Sequence, residues 1–247
     1  MENKLHTLSQ IEVDNYKKNG YHLLHKQLLD ANNLEALTQI FEEHLAEKGA
    51  KLSDELDTPH FRDPRLLKFL LHKDVLELVQ DIIGPNIGLF SSHFISKDPH
   101  VGRRTPWHED SSYWKGKFDS FDGIVTIWLA IDDSNLANGC LGVIPGTHIN
   151  GFSEYEGVDT QSNTFSTEIV KGSFDESKVV WFEIKRGECS LHDARIIHGA
   201  NANTSSTRRC GYTMRYFNLN KKFTGDPQHL LWHARGENIA GNKLEMY

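Results

Sequence analysis

The chain has 247 residues, a mass of 28.2 kDa and an apolar share of 38%, which bounds it to one large domain or two small ones. Five Trp, thirteen Phe and seven Tyr supply the bulk of a core, and no run of eighteen apolar residues offers a membrane-spanning helix. A net charge of −7 without any Lys/Arg block argues against a nucleic-acid backbone as partner, and three widely spaced cysteines exclude a disulfide framework and a Cys-based zinc module. The N-terminal segment lacks the apolar core of a signal peptide, so a cytoplasmic location is expected. Fourteen histidines are the one anomaly, and they direct attention to metal chemistry.

In chain order, the first expected elements are helical. Ser9 or Thr7 can cap a short helix ending near Asn19-Gly20, and GYHLL after it reads as a strand. Residues 30–48 carry Leu34, Leu37, Ile40, Phe41 and Leu45 at helical spacing. Asp63-Pro64 is a cap followed by proline, and RLLKFLLHKDVLELVQDII predicts one buried amphipathic helix stopped by Gly84-Pro85. From Ile87 to Tyr216 the period changes to short β-branched and aromatic runs separated by turns: NIGLFSSHFIS, GIVTIWLAID, CLGVIPGTH, KVVWFEIKRG, ECSLHDARIIHG and RRCGYTMRYF. Strands in succession without intervening helices predict an antiparallel sandwich or barrel. Residues 148–178 are polar with little pattern, and PQHLLWHARG near the end reads as helix-like. The expected organisation is one domain, with a helical part at 1–86, a β core at 87–220 and a tail at 221–247.

His108-Glu109-Asp110 is the first candidate for chemistry. On a strand, residues two apart share a face, so His108 and Asp110 can reach one metal while Glu109 faces away. The motif alone decides nothing, because His72-Lys73-Asp74 repeats it inside the expected helix, where positions two apart diverge. A third ligand is suggested by His198 at the end of an apolar strand. If the polar run after it is a turn centred between Asn203 and Thr204, antiparallel pairing puts Arg209 opposite His198, on the same face. Two His and one carboxylate with open positions are the non-haem Fe(II) oxygenase arrangement, and a cationic fork beside it suits an anionic chelating cosubstrate.

At this point the chain resembles the phytanoyl-CoA dioxygenase family of Fe(II)/2-oxoglutarate-dependent oxygenases. The resemblance runs through Asn19-Gly20-Tyr21, Gly84-Pro85-Asn86, Lys97 and Pro99, Trp107-His108-Glu109-Asp110, Trp114, Trp128 to Asp133, Asn138 to Leu141, Pro145 to His148, His198-Gly199, Asn203 and Arg209. It implies a mainly β, double-stranded β-helix (jelly-roll) core with N-terminal helices packed outside. It also implies that His108, Asp110 and His198 bind iron and that Arg209 pairs with the distal carboxylate of 2-oxoglutarate. His93, Thr105 and Trp128 stand where relatives touch the cosubstrate. Relatives often have Ser two residues after the distal His; Ala200 stands there, so one cosubstrate hydrogen bond is expected from elsewhere. Asp110 argues against halogenation, which goes with a small residue in its place.

The expected reaction is hydroxylation of an unactivated C–H bond in a small polar metabolite or natural-product intermediate, with release of succinate and CO2. Fe(II), 2-oxoglutarate and O2 are its expected cofactors, with ascorbate as an accessory stimulant; desaturation or cyclisation needs only a differently placed substrate. Trp114, Tyr113, Lys97 and Arg215 are the candidate substrate residues, each with a bland counterpart: core packing for the aromatics, a solvated edge for Lys97, a structural ion pair for Arg215. His192 shares the parity of the metal face and is expected to be a packed histidine behind the ligands. Residues 150–178, with Phe152, Tyr155 and Phe165, are expected to form a lid over a filled site. Two rivals stand beside this reading: a catalytically silent jelly-roll binding or sensing protein, and a cupin-type metal isomerase or dioxygenase. The expected partner is a small molecule, with neither nucleic acid nor membrane, and the expected assembly is a monomer or homodimer.

Overall fold

The computed structural model describes residues 7–48 and 56–247, so the first six residues of the segment expected to lack a signal peptide lie outside the described residues. Ser9 caps α1 (Gln10–Asn19) in a reciprocal capping box with Glu12, and Gly20 at φ 82° ends it. The chain then enters β1 (Tyr21–Leu24) and α2 (Ala31–Lys48), as the pattern predicts. After β2 (Leu56–Asp57), Asp63 caps a 3-10 turn at Pro64–Leu66. The single helix expected next is broken into α3 (Leu67–Leu70) and α4 (Lys73–Ile83). His72 causes the break: its backbone is extended and its Nδ1 accepts the Asp74 amide at 3.3 Å, so it caps α4. Both pieces keep their apolar residues buried, which is why the periodicity gives no sign of the interruption.

The β region follows: β3 (Ile87–Lys97), β4 (Thr105–His108), a single helical turn α5 (Asp110–Tyr113), β5 (Ile124–Ala130) and β6 (Leu141–Val143). The stretch expected to lack pattern contains a hairpin of β7 (Tyr155–Gly157) and β8 (Thr167–Ile169). Then come β9 (Val180–Trp181), β10 (Cys189–Asp193), β11 (His198–Ala200), β12 (Arg209–Asn218) and β13 (Trp232–Arg235). The helix-like piece near the end is therefore a strand. Trp232 pairs with Leu89 on the open edge of β3, which offers backbone partners that one isolated helical turn lacks.

Among the described residues, a major sheet runs β1-β10-β5-β12-β3-β13, with β2 also on β3, and a minor sheet runs β4-β11-β6-β9. Together they form the jelly-roll core. Period-2 alternation gives the major sheet two unlike faces. Val125, Ile127 and Leu129 of β5, with Tyr212, Met214 and Tyr216 of β12, pack against Val13, Leu37, Phe41, Leu70 and Val79 of the helices in the main core. The alternate residues, among them Thr126, Trp128, Thr213 and Arg215, face the minor sheet across a cavity.

The expected β11–β12 hairpin does not form. β11 pairs with β4 and β6 in the minor sheet, and β12 with β3 and β5 in the major one, so Arg209 stands opposite Lys97 and not opposite His198. The polar run between them carries the chain from one sheet to the other. Asn203 secures that crossing, buried, with its amide donating to the carbonyls of Lys97 and Thr207.

Candidate active site

A cavity of about 300 Å3 opens between the two sheets, and the metal-ligand candidates converge on it. β4 and β11 pair with His198 directly opposite His108, which brings the two rings to 4.1 Å between centroids. Asp110 follows at the start of α5, two residues beyond the strand, and its Oδ1 lies 3.8 Å from His108 Nε2 and 3.9 Å from His198 Nε2. One donor atom from each residue falls within 4.8 Å of the others, and all three residues are buried. Glu109 faces away, as alternation predicts. Its carboxylate accepts from Ser112, from both the amide and the hydroxyl of Ser153, and from the Tyr155 hydroxyl.

The surroundings prepare each donor for a cation. His108 Nδ1 lies 2.8 Å from the Pro106 carbonyl and His198 Nδ1 2.9 Å from that of Ile196; an N–H donating there leaves each Nε2 lone pair aimed at the common point. Burial beside His198 pushes the pKa of His108 down to about 3, so the ring is neutral, as a ligand must be. Burial alone would raise the Asp110 carboxyl, but Arg215 and the neighbouring histidines hold it well below the usual carboxylate range. Arg215 Nε donates to Oδ2 at 3.2 Å and Thr126 Oγ1 donates to the same oxygen at 3.4 Å, leaving Oδ1 toward the histidines.

Arg209 reaches this cavity from the opposite wall. It is 1% exposed, with Nε and Nη2 both donating to the Gly139 carbonyl at 3.0 and 2.7 Å, while the buried Nη1 has no partner among the described residues. Burial lowers its pKa to about 10, which keeps it charged at neutral pH. Its guanidinium lies 5.0 Å from the Trp128 ring, and that ring fits there because position 211 is glycine: an added Cβ would come within 2.1 Å of it. A buried cation with one unanswered N–H asks for an anion. The donor set and this guanidinium fit Fe(II) and 2-oxoglutarate respectively.

The structure brings His93, Thr105, Trp128, Trp114, Tyr113 and Arg215 to the same cavity. Tyr113 is 41% exposed at the mouth, and Trp114 is buried edge-on to Phe90. Lys97 is not brought there. It is neither cavity-lining nor a solvated edge residue, but 1% exposed, with its ammonium donating to the Arg103 carbonyl. His192 is buried beside His198, 4.9 Å between rings, and lines the cavity from β10 in the other sheet. Of the aromatics expected to cover the site, Phe165 does so, edge-on to His108 at 5.0 Å. Tyr155 instead turns to Glu109, and Phe152 packs on Phe121. Thr126, Phe90, Lys117 and His229 also line the cavity without having been singled out. The parity of Trp128 points to Thr126; the other three arrive from segments that carry no local signal.

The phytanoyl-CoA dioxygenase (PhyH) family model matches residues 16–211. A Caenorhabditis elegans protein, "Phytanoyl-CoA dioxygenase domain-containing protein 1 homolog", is 28% identical over 196 residues, which cover 74% of this chain and 67% of that protein. The "Probable alpha-ketoglutarate-dependent hypophosphite dioxygenase" of Stutzerimonas stutzeri is 26% identical, over 64% of this chain and 55% of that protein. The match thus spans about two thirds of the nematode relative and about half of the bacterial one. Among solved structures, the non-heme monooxygenase ThoJ in its apo form superposes with a TM-score of 0.78 at 20% identity, covering 94% of this chain and 86% of that one. The non-heme alpha ketoglutarate dependent carbocyclase SnoK gives 0.71 at 22% identity, covering 90% and 88%. These two likenesses speak to the fold. The family match spans most of the sequence and includes His108, Asp110, His198 and Arg209, and with it the chain belongs to the phytanoyl-CoA dioxygenase family of non-haem iron, 2-oxoglutarate-dependent oxygenases.

Proposed function

We propose that this chain hydroxylates an unactivated C–H bond of a small polar metabolite or natural-product intermediate, releasing succinate and CO2. In this reading His108, Asp110 and His198 hold Fe(II), and Arg209 holds the distal carboxylate of 2-oxoglutarate. The observation that carries it is the buried Nη1 of Arg209, without a protein partner among the described residues, in one cavity with three converging ligand atoms. Bound together, Fe(II) and 2-oxoglutarate supply O2 activation coupled to oxidative decarboxylation.

The protein's own share is positioning. Arg215 and Thr126 fix Asp110 through Oδ2 and so present a single oxygen. The carbonyls of Pro106 and Ile196 set both imidazole tautomers. Trp128 backs Arg209, and in this reading His93 of the major sheet and Thr105 of the minor sheet, which line the same cavity, touch the cosubstrate. Ala200 lines the cavity where relatives often carry a hydroxyl, and Thr213 lies in the same lining. Trp114, Tyr113 and Phe165 enclose the remaining volume for substrate and keep water from it.

Succinate release from the Fe(II)-loaded protein, measured with 2-oxoglutarate and O2 but without substrate, tests the reading. A slow uncoupled rate that requires all three and vanishes in His198→Ala is expected. Absence of any 2-oxoglutarate-dependent succinate would contradict it and favour a silent binding protein. Turnover independent of 2-oxoglutarate would favour a cupin-type enzyme.

A further inference from the structure

Two cations that cosubstrate binding leaves unused stand at the other end of the cavity from Arg209. Arg215 is six positions further along β12, roughly 20 Å at strand rise. It engages Asp110 through Nε, and its two Nη atoms have no partner among the described residues. Its guanidinium lies 5.5 Å from the Trp114 ring. Lys117, whose amide donates to the Trp114 carbonyl, is half-buried and lines the same end, and its ammonium has no ion pair or hydrogen bond among the described residues.

The charges there do not cancel. Fe(II) would be offset by the cosubstrate dianion, and Asp110 is paired with Arg215 through Nε alone, which leaves the two Nη atoms of Arg215 as open donors and Lys117 without a counter-ion among the described residues. Besides Asp110, the acidic residue lining the cavity among the described residues is Asp57, whose side chain is 67% exposed at the rim and lies 3.7 Å from His93. His229, which also lines this end, is kept neutral by burial, with Nε2 2.8 Å from the Phe90 carbonyl. The remaining wall is aromatic: Phe90 and Trp114 meet edge-on at 5.0 Å, and Tyr113 and Phe165 lie 5.4 Å apart. A partly desolvated ammonium without a counter-ion and unanswered guanidinium N–H groups are costly, and an incoming anion removes that cost.

We propose that the substrate is an amphipathic organic anion, its carboxylate or phosphate monoester held by Arg215 and Lys117 and its hydrocarbon part enclosed by Phe90, Trp114, Tyr113 and Phe165. This rests on the oxygenase reading above and narrows its substrate. Because Arg215 also touches the ligand carboxylate of Asp110, the anion binds within a few bonds of the metal. The oxidised carbon therefore lies close to the anionic group.

The test uses anaerobic protein loaded with Fe(II) and 2-oxoglutarate, titrated with phenylacetate, phenyl phosphate or neutral phenylacetamide, by calorimetry and by the visible charge-transfer band of the bound keto acid. At least one anion should bind tenfold or more tightly than the amide while the band persists; the tighter of the two identifies carboxylate or phosphate. Lys117→Gln should erase most of that preference, and Lys117→Arg should restore it. Equal binding of all three probes, or an unchanged preference in Lys117→Gln, overturns the inference. Loss of the band as an anion binds also overturns it, since the anion would then have displaced the cosubstrate at Arg209. Absence of the band in the wild-type protein before any probe is added contradicts the oxygenase reading itself and takes this inference with it, so the two failures are distinct.

Discussion

The two sheets that enclose the cavity carry opposite chemistry. The minor sheet presents electron-pair donors: His108 and His198 in register across β4 and β11, and Asp110 just past β4. The major sheet presents hydrogen-bond donors and charge: Arg209 and Arg215 on one face of β12, with Thr126 from the adjacent β5 and His192 from β10 beyond it. Donors for a metal have to be desolvated and unprotonated, whereas groups for a carboxylate have to stay charged, and placing them on separate sheets meets both demands at once. The minor sheet concentrates its chemistry at one point. The major sheet spreads its own along a strand, which in the proposed reading gives the order cosubstrate, metal, substrate.

Substitutions in each wall should therefore fail differently. The largest effect is expected from the minor sheet. Asp110→Ala or His198→Ala should reduce 2-oxoglutarate-dependent succinate release by more than the roughly 100-fold that loss of an outer-shell partner costs; activity within tenfold of wild type would mean the ligands are elsewhere. On the major sheet, Arg209→Ala removes a charge-assisted pair worth on the order of 2–5 kcal/mol. The 2-oxoglutarate requirement should rise well over tenfold while Fe(II) affinity, read by anaerobic metal titration, moves little. A normal cosubstrate constant would take Arg209 out of the site.

Smaller effects sharpen the contrast. Gly211→Ala drives a Cβ into Trp128, an overpacking that typically costs about 1–3 kcal/mol, and Trp128 backs Arg209. Thermal unfolding should start lower and 2-oxoglutarate should bind more weakly, with metal affinity intact; equal loss of metal binding would blur the division between the sheets. Hydrogen exchange over residues 150–178 should slow when Fe(II), 2-oxoglutarate and substrate are all present, because Phe165 covers the site while Glu109 anchors Ser153 and Tyr155 behind it. Exchange identical in every ligand state would make the segment a fixed cover. Far from either sheet's inner face, Ser9→Ala should cost about 1 kcal/mol of stability through the lost cap and leave the cosubstrate constant unchanged.

What could be read from the sequence follows from which interactions are local. The helix cap at Ser9, the Gly20 stop and the β-branched and aromatic runs of β3, β5 and β12 are fixed within a few residues, and all were legible. So was the His108–Asp110 pair, since a strand end decides which side chains share a face. The sequence argument that put Arg209 beside His198 rested on a pairing that does not form. A polar turn announces that the chain reverses, but not that it leaves one sheet for the other, so an assumed hairpin brought Arg209 to the cavity by an incorrect register. Parity put His192 on the cavity side, as found, but it reaches there from β10 of the other sheet and not from a strand shared with His198. The break at His72 and the burial of Lys97 depend on a side-chain cap and on a carbonyl six residues away, and neither alters the apolar period. The substrate end was the least legible, because Phe90, Lys117 and His229 meet only through tertiary packing.

The division of labour between the sheets is tested most directly by one anaerobic titration with Fe(II) and 2-oxoglutarate, followed by the visible charge-transfer band, on wild type, Asp110→Ala and Arg209→Ala. The band is expected in the wild type, absent or much weakened in Asp110→Ala at any 2-oxoglutarate concentration, and recovered in Arg209→Ala only at much higher 2-oxoglutarate. A full band in Asp110→Ala, or an unshifted titration in Arg209→Ala, would contradict the assignment of metal to one wall and cosubstrate to the other.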